Sequence, residues 1–255
     1  MTDKINQDQI VNGMDWMANE KLTNYELSNY RKYQYDLISK HVGVNILEIG
    51  AGDRSFTKQI VDNSNKKIER IISIEPSNTL MEVYDKKYEL PDYVKLTNDN
   101  LFDLTPSSYG LFDTIILIHV MEHIEEDRKA ISHIYKLLKP GGKILIQVPA
   151  LQFLYSVHDK MLGHYRRYNK FNFNKMVDNE LYRVEKLFYN DAIGVFGSLY
   201  FFKLKKINLK SESGINLANN QGKIYDKYII PFEKWYESFL TIPFGLSLTG
   251  ILSKK

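Results

Sequence analysis

The sequence predicts an α/β protein whose centre is a doubly wound, mostly parallel β-sheet. Two observations predict this fold class. Short apolar segments alternate with segments of helical periodicity from residue 44 to residue 148, and the first apolar segment ends in a glycine-rich turn. Strands separated by helices of this length form parallel sheets with right-handed crossovers. The 255 residues suffice for one such domain with additions.

The order of the elements follows from the apolar pattern. The predicted strands cover residues 44–49, 70–74, 93–96, 112–118, 143–148, 183–189 and 246–252, and the predicted helices 55–63, 79–87 and 127–138. A ragged apolar stripe predicts further helix over residues 13–42. We interpret residues 1–42 as a helical lid that includes Trp16 and the tyrosines of residues 25–35. Residues 43–255 form the main domain, with an insertion at 192–245 that caps the acceptor side.

Composition excludes several classes of protein. The chain has no cysteine, which excludes disulfides and thiolate chemistry and fits a reducing, cytoplasmic compartment. No apolar run reaches the ~18 residues of a membrane-spanning helix, and the N-terminus lacks the apolar stretch of a signal peptide. The net charge of +3, with both signs mixed along the chain, is weak for a nucleic-acid binder. We expect a monomer or dimer without stable membrane insertion.

The most informative segment is the strand 46–49 followed by Gly50-Ala51-Gly52. Glycines at this point let the backbone turn sharply and approach a ligand. Glu75 ends the next strand, 23 residues after Gly52, where a carboxylate can bind two ribose hydroxyls. The alternatives are that the glycines only form a tight turn and that Glu75 is only a solvated carboxylate. The occurrence of the glycine loop and the acidic residue together at this spacing favours a nucleotide site. Arg54 stands where the dinucleotide fingerprint has its third glycine.

Four segments together resemble successive motifs of the class I S-adenosylmethionine-dependent methyltransferases. They are Glu48-Ile49-Gly50-Ala51-Gly52, Ile74-Glu75-Pro76, Asp99-Asn100 and Leu138-Lys139-Pro140-Gly141-Gly142-Lys143. The resemblance implies a Rossmann-like, seven-stranded sheet with an antiparallel last strand. It also implies S-adenosylmethionine as the cofactor, S-adenosylhomocysteine as its product, and no metal.

The resemblance also implies a set of cofactor-binding residues. They are Glu48, Gly50, Ala51 and Gly52 at the methionine part, Glu75 and Pro76 at the ribose, Asp99, Asn100 and Leu101 at the adenine, and Ile118 and His119 beside the sulfonium. Arg54 departs from the glycine pattern at a position that often varies in the family.

The segment 120–124, which contains Glu122 and His123, resembles the "L-E-H-I/V" signature of methyltransferases that act on small molecules. His119 and His123 are four residues apart and could mimic a metal-binding pair. No cysteine or third obvious ligand accompanies them, so packing or capping is the preferred interpretation of His123. His119 is the better functional candidate, because the C-terminal ends of strands face the ligand crevice of open α/β sheets.

A second group of functional side chains follows the fifth strand. The loop 158–168 concentrates a carboxylate, two histidines and two arginines, and by composition alone a basic surface loop with Tyr168 in the core is equally plausible. Asp159 and the run Gly163-His164-Tyr165-Arg166-Arg167-Tyr168 resemble the "D-x-x-x-G-H-x-R-R-Y" element of bacterial methyltransferases associated with glycosyltransferases and surface-polysaccharide synthesis. Residues 190–194 and 243–248 resemble the same subfamily.

These patterns predict O-methylation of a small anionic or sugar-derived building block of a surface polysaccharide. The predicted base is His164, slightly ahead of His119, with Asp159 orienting it. The predicted acceptor-binding residues are His123, Tyr165, Arg166, Arg167 and Tyr168. Two alternatives stay open. One is an N-methyltransferase acting on a small amine. The other is a non-catalytic protein at the membrane surface, suggested by the apolar and then lysine-rich stretch 192–210, for which a lid helix is the preferred interpretation.

Overall fold

The structure is a computed structural model that describes residues 27–205, 207 and 212–255. It is built around a seven-stranded β-sheet. Its strands are β1 Asn45–Ile49, β2 Arg70–Ile74, β3 Val94–Thr97, β4 Phe112–Ile118, β5 Leu138–Pro149, β6 Tyr182–Asn190 and β7 Ser247–Lys254. Their order across the sheet is β3-β2-β1-β4-β5-β7-β6. The pairs from β3 to β5 are parallel, and β7 runs antiparallel to both β5 and β6. The predicted fold class is confirmed, including the antiparallel last strand.

Helices connect these strands and cover both faces of the sheet. They are α1 Ser28–Ile38, α2 Ser55–Asn63, α3 Asn78–Val83, α4 Pro106–Tyr109, α5 Asp127–Leu137, α6 Val157–Met161, α7 Lys170–Met176, α8 Ala192–Ser198, α9 Glu212–Ile224 and α10 Ile230–Glu237. Short 3₁₀ turns cover Ser39–His41, Leu101–Asp103, Met121–His123 and Gln152–Leu154, and π-helical segments cover Leu199–Leu204 and Tyr225–Ile229. Among the described residues, none of these helices combines the length and the apolarity that crossing a membrane requires.

The central strands are apolar on both faces because both faces are covered. Ile46 of β1 packs into one hydrophobic core, and its neighbour Leu47 packs into the core on the opposite face of the sheet. Ile116 and Ile115 of β4 divide in the same way. This follows from the alternation of side chains along a strand. It explains why β1 and β4 read as continuous apolar runs rather than alternating ones.

The predicted element boundaries differ from the structure at a few places. The strand predicted to begin at residue 143 begins at Leu138, which already pairs with Phe112 of β4 before an irregularity in the register. The helix predicted over 79–87 ends at Val83. Within the predicted helix 13–42 the structure describes Ser28–Ile38, whereas Trp16 lies outside the described residues.

A chain of buried amide and hydroxyl groups fixes α1 against the sheet. Gln34 Nε2 donates to Gln147 Oε1 at 2.5 Å, and Gln147 Nε2 donates to Thr249 Oγ1 at 3.0 Å. Thr249 in turn donates to Asn190 Oδ1 at 2.7 Å. All four side chains are fully buried. Because a buried polar group without a partner is destabilising, this series of hydrogen bonds specifies the position of α1 across β5, β7 and β6.

Carboxyl and tyrosine groups join the C-terminal insertion to α1. The hydroxyl of Tyr33 donates to Glu237 Oε2 at 2.5 Å and accepts the Asp191 N–H at 3.0 Å. Glu233 accepts the Ile193 N–H at 3.0 Å. Burial and the neighbouring Glu233 carboxyl raise the pKa of Asp191 to about 8, and burial raises the pKa of Glu237 to about 7. The junction therefore carries carboxyl groups that resist ionisation near neutral pH.

Glu48 is buried between β1, β2 and α2. Its Oε2 atom accepts hydrogen bonds from the hydroxyls of Thr57 and Ser73, each at 2.6 Å. Burial raises the pKa of Glu48 to about 7, although these two hydrogen bonds act in the opposite direction. The carboxyl group thus connects the first two strands to the helix between them.

The tight contact between β7 and α7 generates a stability prediction. A Cβ atom at Gly250 would lie 2.4 Å from Cζ of Phe173, too close for ordinary packing. We expect Gly250→Ala to lower the free energy of unfolding by about 1–3 kcal/mol, the usual range for overpacking a core. Gly197→Ala in α8 is the matched control, since a Cβ there would meet no described atom within 4 Å. Urea unfolding measures both, and an equal loss in the two variants would contradict the packing explanation.

The raised pKa of Glu48 generates a second prediction. Its carboxyl group ionises at its ordinary value of 4.5 in the unfolded chain and near 7 in the folded one. The stabilising contribution of the protonated form is therefore present at low pH and lost as the pH rises through about 7. Glu48→Gln does not titrate. From about pH 5 to pH 8, its free energy of unfolding relative to the wild type should rise by about 2–4 kcal/mol. Urea unfolding at both pH values tests this, with Glu89→Gln at an exposed site as the control. A pH-independent difference for Glu48→Gln would refute it.

Candidate functional site

The glycine loop after β1 lies at the C-terminal edge of the sheet, beside β2 and β4. Gly50 and Gly52 have φ angles of +79° and +51°, which side chains disfavour. A Cβ at Gly50 would lie 2.5 Å from Cγ2 of Val120, whereas one at Gly52 would meet no described atom within 4 Å. The loop therefore packs tightly at its start and leaves open space at Gly52, as a backbone cradle for a ligand requires.

Arg54 takes a left-handed conformation, with φ of +64°, at the position where the fingerprint has a glycine. Its guanidinium group donates to the carbonyl oxygens of Asp85 at 2.5 Å and Met81 at 2.8 Å, and the side chain is buried. These bonds to the end of α3 and the turn after it compensate for the disfavoured backbone. The departure from the glycine pattern thus anchors the loop instead of disrupting it.

Glu75 connects the end of β2 to the glycine loop. Its Oε2 accepts the N–H of Gly52 at 2.9 Å, and its Oε1 accepts the N–H of Ser77 at 3.0 Å. The carboxylate therefore lies at the open part of the cradle. A glycine cradle with an adjacent carboxylate fits the amino-acid and ribose parts of S-adenosylmethionine, and these residues are the ones that would hold it.

The other residues predicted to bind the cofactor differ in their contacts and in their burial. Asp99 accepts the Tyr109 hydroxyl, and hydrogen bonds from Thr97 and Tyr109 lower the pKa of its carboxyl group. Asn100 Oδ1 accepts the Phe102 N–H at 2.9 Å and begins the next 3₁₀ turn. Asp99 and Asn100 both lie in the loop that follows β3. By burial, Ala51 and Leu101 are buried, Ile118 is partly buried, and Pro76 is exposed. Glu48 faces Thr57 and Ser73 inside the domain.

His119 ends β4 in a strained conformation. Its φ is +56°, and its N–H donates to the carbonyl of Gln147 at 2.8 Å. The side chain is 30% exposed, and its Nδ1 lies 3.4 Å from Oε1 of Glu122. Non-glycine residues held in the left-handed region occur disproportionately at functional sites.

The 3₁₀ turn Met121–His123 buries two ionisable side chains next to His119. Neither carboxylate oxygen of Glu122 accepts a well-directed hydrogen bond from any described residue, and Nδ1 of His123 likewise has no described partner. The His123 ring packs edge-on against His164, with ring centroids 4.7 Å apart. Burial lowers the pKa of His123 to about 4, so its ring is neutral at pH 7.

Asp159 organises the loop after β5. Its Oδ1 lies 3.0 Å from Nδ1 of His164 and 2.7 Å from Nε of Arg167, and its Oδ2 accepts the Ser156 N–H at 2.9 Å. Burial alone would raise the pKa of Asp159, but the hydrogen bonds from His164 and Arg167 hold it well below its usual value. Asp159 is therefore ionised and orients His164.

Tyr165 and Tyr168 attach this loop to the turn Met121–His123, whereas its two arginines have other partners. Arg167 is buried on Asp159, and Arg166 forms an ion pair with Asp127 at 2.7 Å. Tyr168 is buried and donates to the carbonyl of Met121 at 3.2 Å, as the core alternative for this residue expects. The N–H of Tyr165 donates to the carbonyl of Glu122 at 2.8 Å. An acceptor anion would have to compete with internal partners for both guanidinium groups.

The two acceptor-side motifs therefore meet in space. His119, His123, His164 and Asp159 lie in one cluster. Glu122 belongs to the same cluster and is not among the residues that the sequence predicts for the site. The sequence does contain a signal for Glu122, because this residue is adjacent to His123 in the same short motif. An acidic residue in a turn is usually solvated, however, so the sequence offers no reason to expect that Glu122 is buried.

A family model described as a methyltransferase domain matches residues 20–184, more than half of the chain. The chain is 28% identical to the ubiquinone/menaquinone biosynthesis C-methyltransferase UbiE of Wigglesworthia glossinidia brevipalpis, over 45% of this chain and 47% of that protein. It is 23% identical to a probable S-adenosylmethionine-dependent methyltransferase of Mycolicibacterium smegmatis, over 68% of this chain and 63% of that one. The matched region thus spans about half of the first relative and somewhat more of the second.

Solved structures share the fold at low identity. The N-methyltransferase NodS of Bradyrhizobium japonicum, in complex with S-adenosylhomocysteine, matches with a TM-score of 0.56 at 13% identity, over 96% of this chain and 98% of that one. The plantazolicin methyltransferase BpumL, also in complex with S-adenosylhomocysteine, matches with a TM-score of 0.57 at 13% identity, over 100% and 98%. The chain therefore belongs to the methyltransferase domain family, with the class I fold that binds S-adenosylmethionine.

Proposed function

We propose that the chain transfers a methyl group from S-adenosylmethionine to a hydroxyl group of a small polar acceptor. The bound cofactor supplies an electrophilic methyl group on a sulfonium. The observation that carries the proposal is His119, a partly exposed histidine in a strained conformation at the end of β4, with the buried Glu122 carboxylate 3.4 Å behind it. This pair lies at the same sheet edge as the glycine cradle. Active-site crevices of open α/β sheets form at such edges.

His119 supports the role of general base better than His164 does. A base must reach the acceptor proton, and the His119 side chain is 30% exposed whereas that of His164 is 10% exposed. Glu122 stabilises the protonated imidazole that forms when His119 takes the proton. The sequence favours His164 slightly, because arginine neighbours favour the neutral, proton-accepting form of an imidazole. The structure instead places His164 within a buried network with Asp159 and Arg167.

The proposed acceptor is a small anionic or sugar-derived building block of a bacterial surface polysaccharide. What supports this class is the resemblance of the loop 159–168 to methyltransferases associated with that chemistry. Arg166 is the candidate anion-binding residue, since its side chain remains 26% exposed beside Asp127. Tyr165 lies next to it, and the Arg166 guanidinium lies 5.9 Å from the Tyr165 ring. Arg167 and Tyr168 would support this surface from beneath.

Cofactor binding supplies the first test of this function. S-Adenosylhomocysteine should raise the melting temperature, because it binds the folded chain and not the unfolded one, while NAD should not. Glu75→Gln should weaken S-adenosylhomocysteine binding by about 1–3 kcal/mol in titration calorimetry, since a charged hydrogen-bond acceptor is lost. Glu82→Gln, an exposed carboxylate on α3, is the matched control. A shift with NAD and none with the thioether would overturn the proposal.

Turnover supplies the second test. With a panel of hydroxylated sugar phosphates and radiolabelled cofactor, His119→Ala should lower kcat by about 10²–10⁴-fold, the usual contribution of a general base. Arg166→Ala should mainly raise KM for an anionic acceptor, because that contact is present in both the ground and transition states. His133→Ala, in α5, controls for loss of any histidine. Undiminished kcat in His119→Ala, with S-adenosylhomocysteine binding intact, would show that His119 is not the base.

A further inference from the structure

We propose that Glu122, His123 and His164 bind a divalent transition-metal ion. One ligand atom from each of the three side chains lies within 4.8 Å of the other two. Metal–ligand bonds of about 2.0–2.2 Å separate neighbouring ligand atoms by roughly 3–3.5 Å, so modest side-chain rotation would close the site. Two of the three residues come from the turn after β4 and the third from the loop after β5.

The first argument is that Glu122 is buried with little compensation for its negative charge. Its side chain is fully buried, and neither oxygen accepts a well-directed hydrogen bond from a described residue. An uncompensated buried carboxylate is strongly unfavourable, and buried charges in proteins are paired or coordinate metals. His119 Nδ1, 3.4 Å from Oε1, compensates one oxygen in part. A metal ion would compensate the other.

The two histidines have the orientation that metal ligands require. His123 makes a hydrogen bond to the backbone of Gly163, and its Nδ1 atom has no partner among the described residues. His164 directs Nδ1 to Asp159 at 3.0 Å, which leaves Nε2 as the nitrogen available to an ion. Metal-binding histidines characteristically donate one ring N–H to a carbonyl or carboxylate, which fixes the tautomer and frees the other nitrogen. Both rings satisfy this pattern.

Asp159 extends the pattern one step further. Arg167 donates to both of its oxygens, from Nε at 2.7 Å and from Nη2 at 3.2 Å. The carboxylate that orients His164 is therefore itself fixed by a bidentate partner. This arrangement matches the hydrogen-bonded shell that surrounds metal ligands.

The ligand set indicates the class of ion. Two imidazoles and one carboxylate suit Zn²⁺, Co²⁺, Fe²⁺ or Mn²⁺ better than Ca²⁺ or Mg²⁺, which prefer oxygen ligands throughout. Three protein ligands leave at least one coordination position for an outside oxygen. A metal ion at this edge would lower the pKa of an acceptor hydroxyl and so assist His119. This catalytic consequence rests on the proposed function. Metal binding itself can be measured without cofactor or acceptor.

Titration of the chelator-treated full chain with Co²⁺ tests the proposal. We expect one Co²⁺ per chain, detected by calorimetry and by the visible absorption of the coordinated ion. Glu122→Gln, His123→Ala and His164→Ala should each weaken binding by tenfold or more, whereas His133→Ala should leave it unchanged. Asp159→Asn should weaken it by about 10–100-fold through loss of orientation, although it touches no ion.

Folding controls keep the result decisive. The S-adenosylhomocysteine melting shift shows which variants retain the domain, and Glu122→Gln preserves the shape of the side chain. Equal Co²⁺ binding by the wild type and by folded Glu122→Gln and His164→Ala variants would overturn the proposal, as would the absence of stoichiometric binding to the wild type. Neither outcome depends on methyl transfer, so failure of the metal site and failure of the proposed function are distinguishable.

Discussion

The loop after β5, which forms the proposed acceptor side of the molecule, depends on one buried carboxylate, that of Asp159. It begins α6 through the Ser156 N–H, orients His164 and neutralises Arg167. These contacts hold the loop after β5 together. The same loop joins the turn after β4, about 40 residues earlier in sequence, through the Tyr165 N–H, which donates to the carbonyl of Glu122, and the Tyr168 hydroxyl, which donates to the carbonyl of Met121. A paired buried carboxylate of this kind is strongly destabilising when one partner is removed, since the other charges stay buried. The network thus fixes the orientation of His164, whose ring packs edge-on against His123.

The geometry of the glycine loop, the proposed cofactor side, was largely predictable from sequence because its determinants are local. Gly50 and Gly52 are needed for backbone geometry within one turn, and Glu75 acts at the end of the neighbouring strand. Short apolar runs also identified the central strands, because these strands are covered on both faces of the sheet. Arg54 shows the limit of such patterns. Its backbone takes the conformation of the glycine it replaces, and its stabilising contacts lie about 30 residues further along the chain.

The acceptor side was predictable in composition but not in arrangement. Sequence singled out His119, His164, Asp159 and the two arginines as candidates, but not which of them are buried. Arg167 pairs with Asp159 within the same loop, whereas Glu122 is buried where the turn after β4 docks against that loop, although its sequence context resembles a solvated turn. Non-local docking of this kind leaves no periodic signal in the chain. The contact between Gln34 and Gln147, which positions α1, was undetectable for the same reason.

The backbone of His119 has a consequence for how the protein balances stability against chemistry. A non-glycine residue with φ near +56° is destabilised by about 1–2 kcal/mol relative to a glycine at the same place. Glycine would relieve that strain, so the most stable sequence at the end of β4 is not the one present. Selection or engineering for thermal stability alone would drive this position toward glycine and remove the imidazole from the crevice. Consensus-based stabilisation of this domain should therefore leave residue 119 fixed.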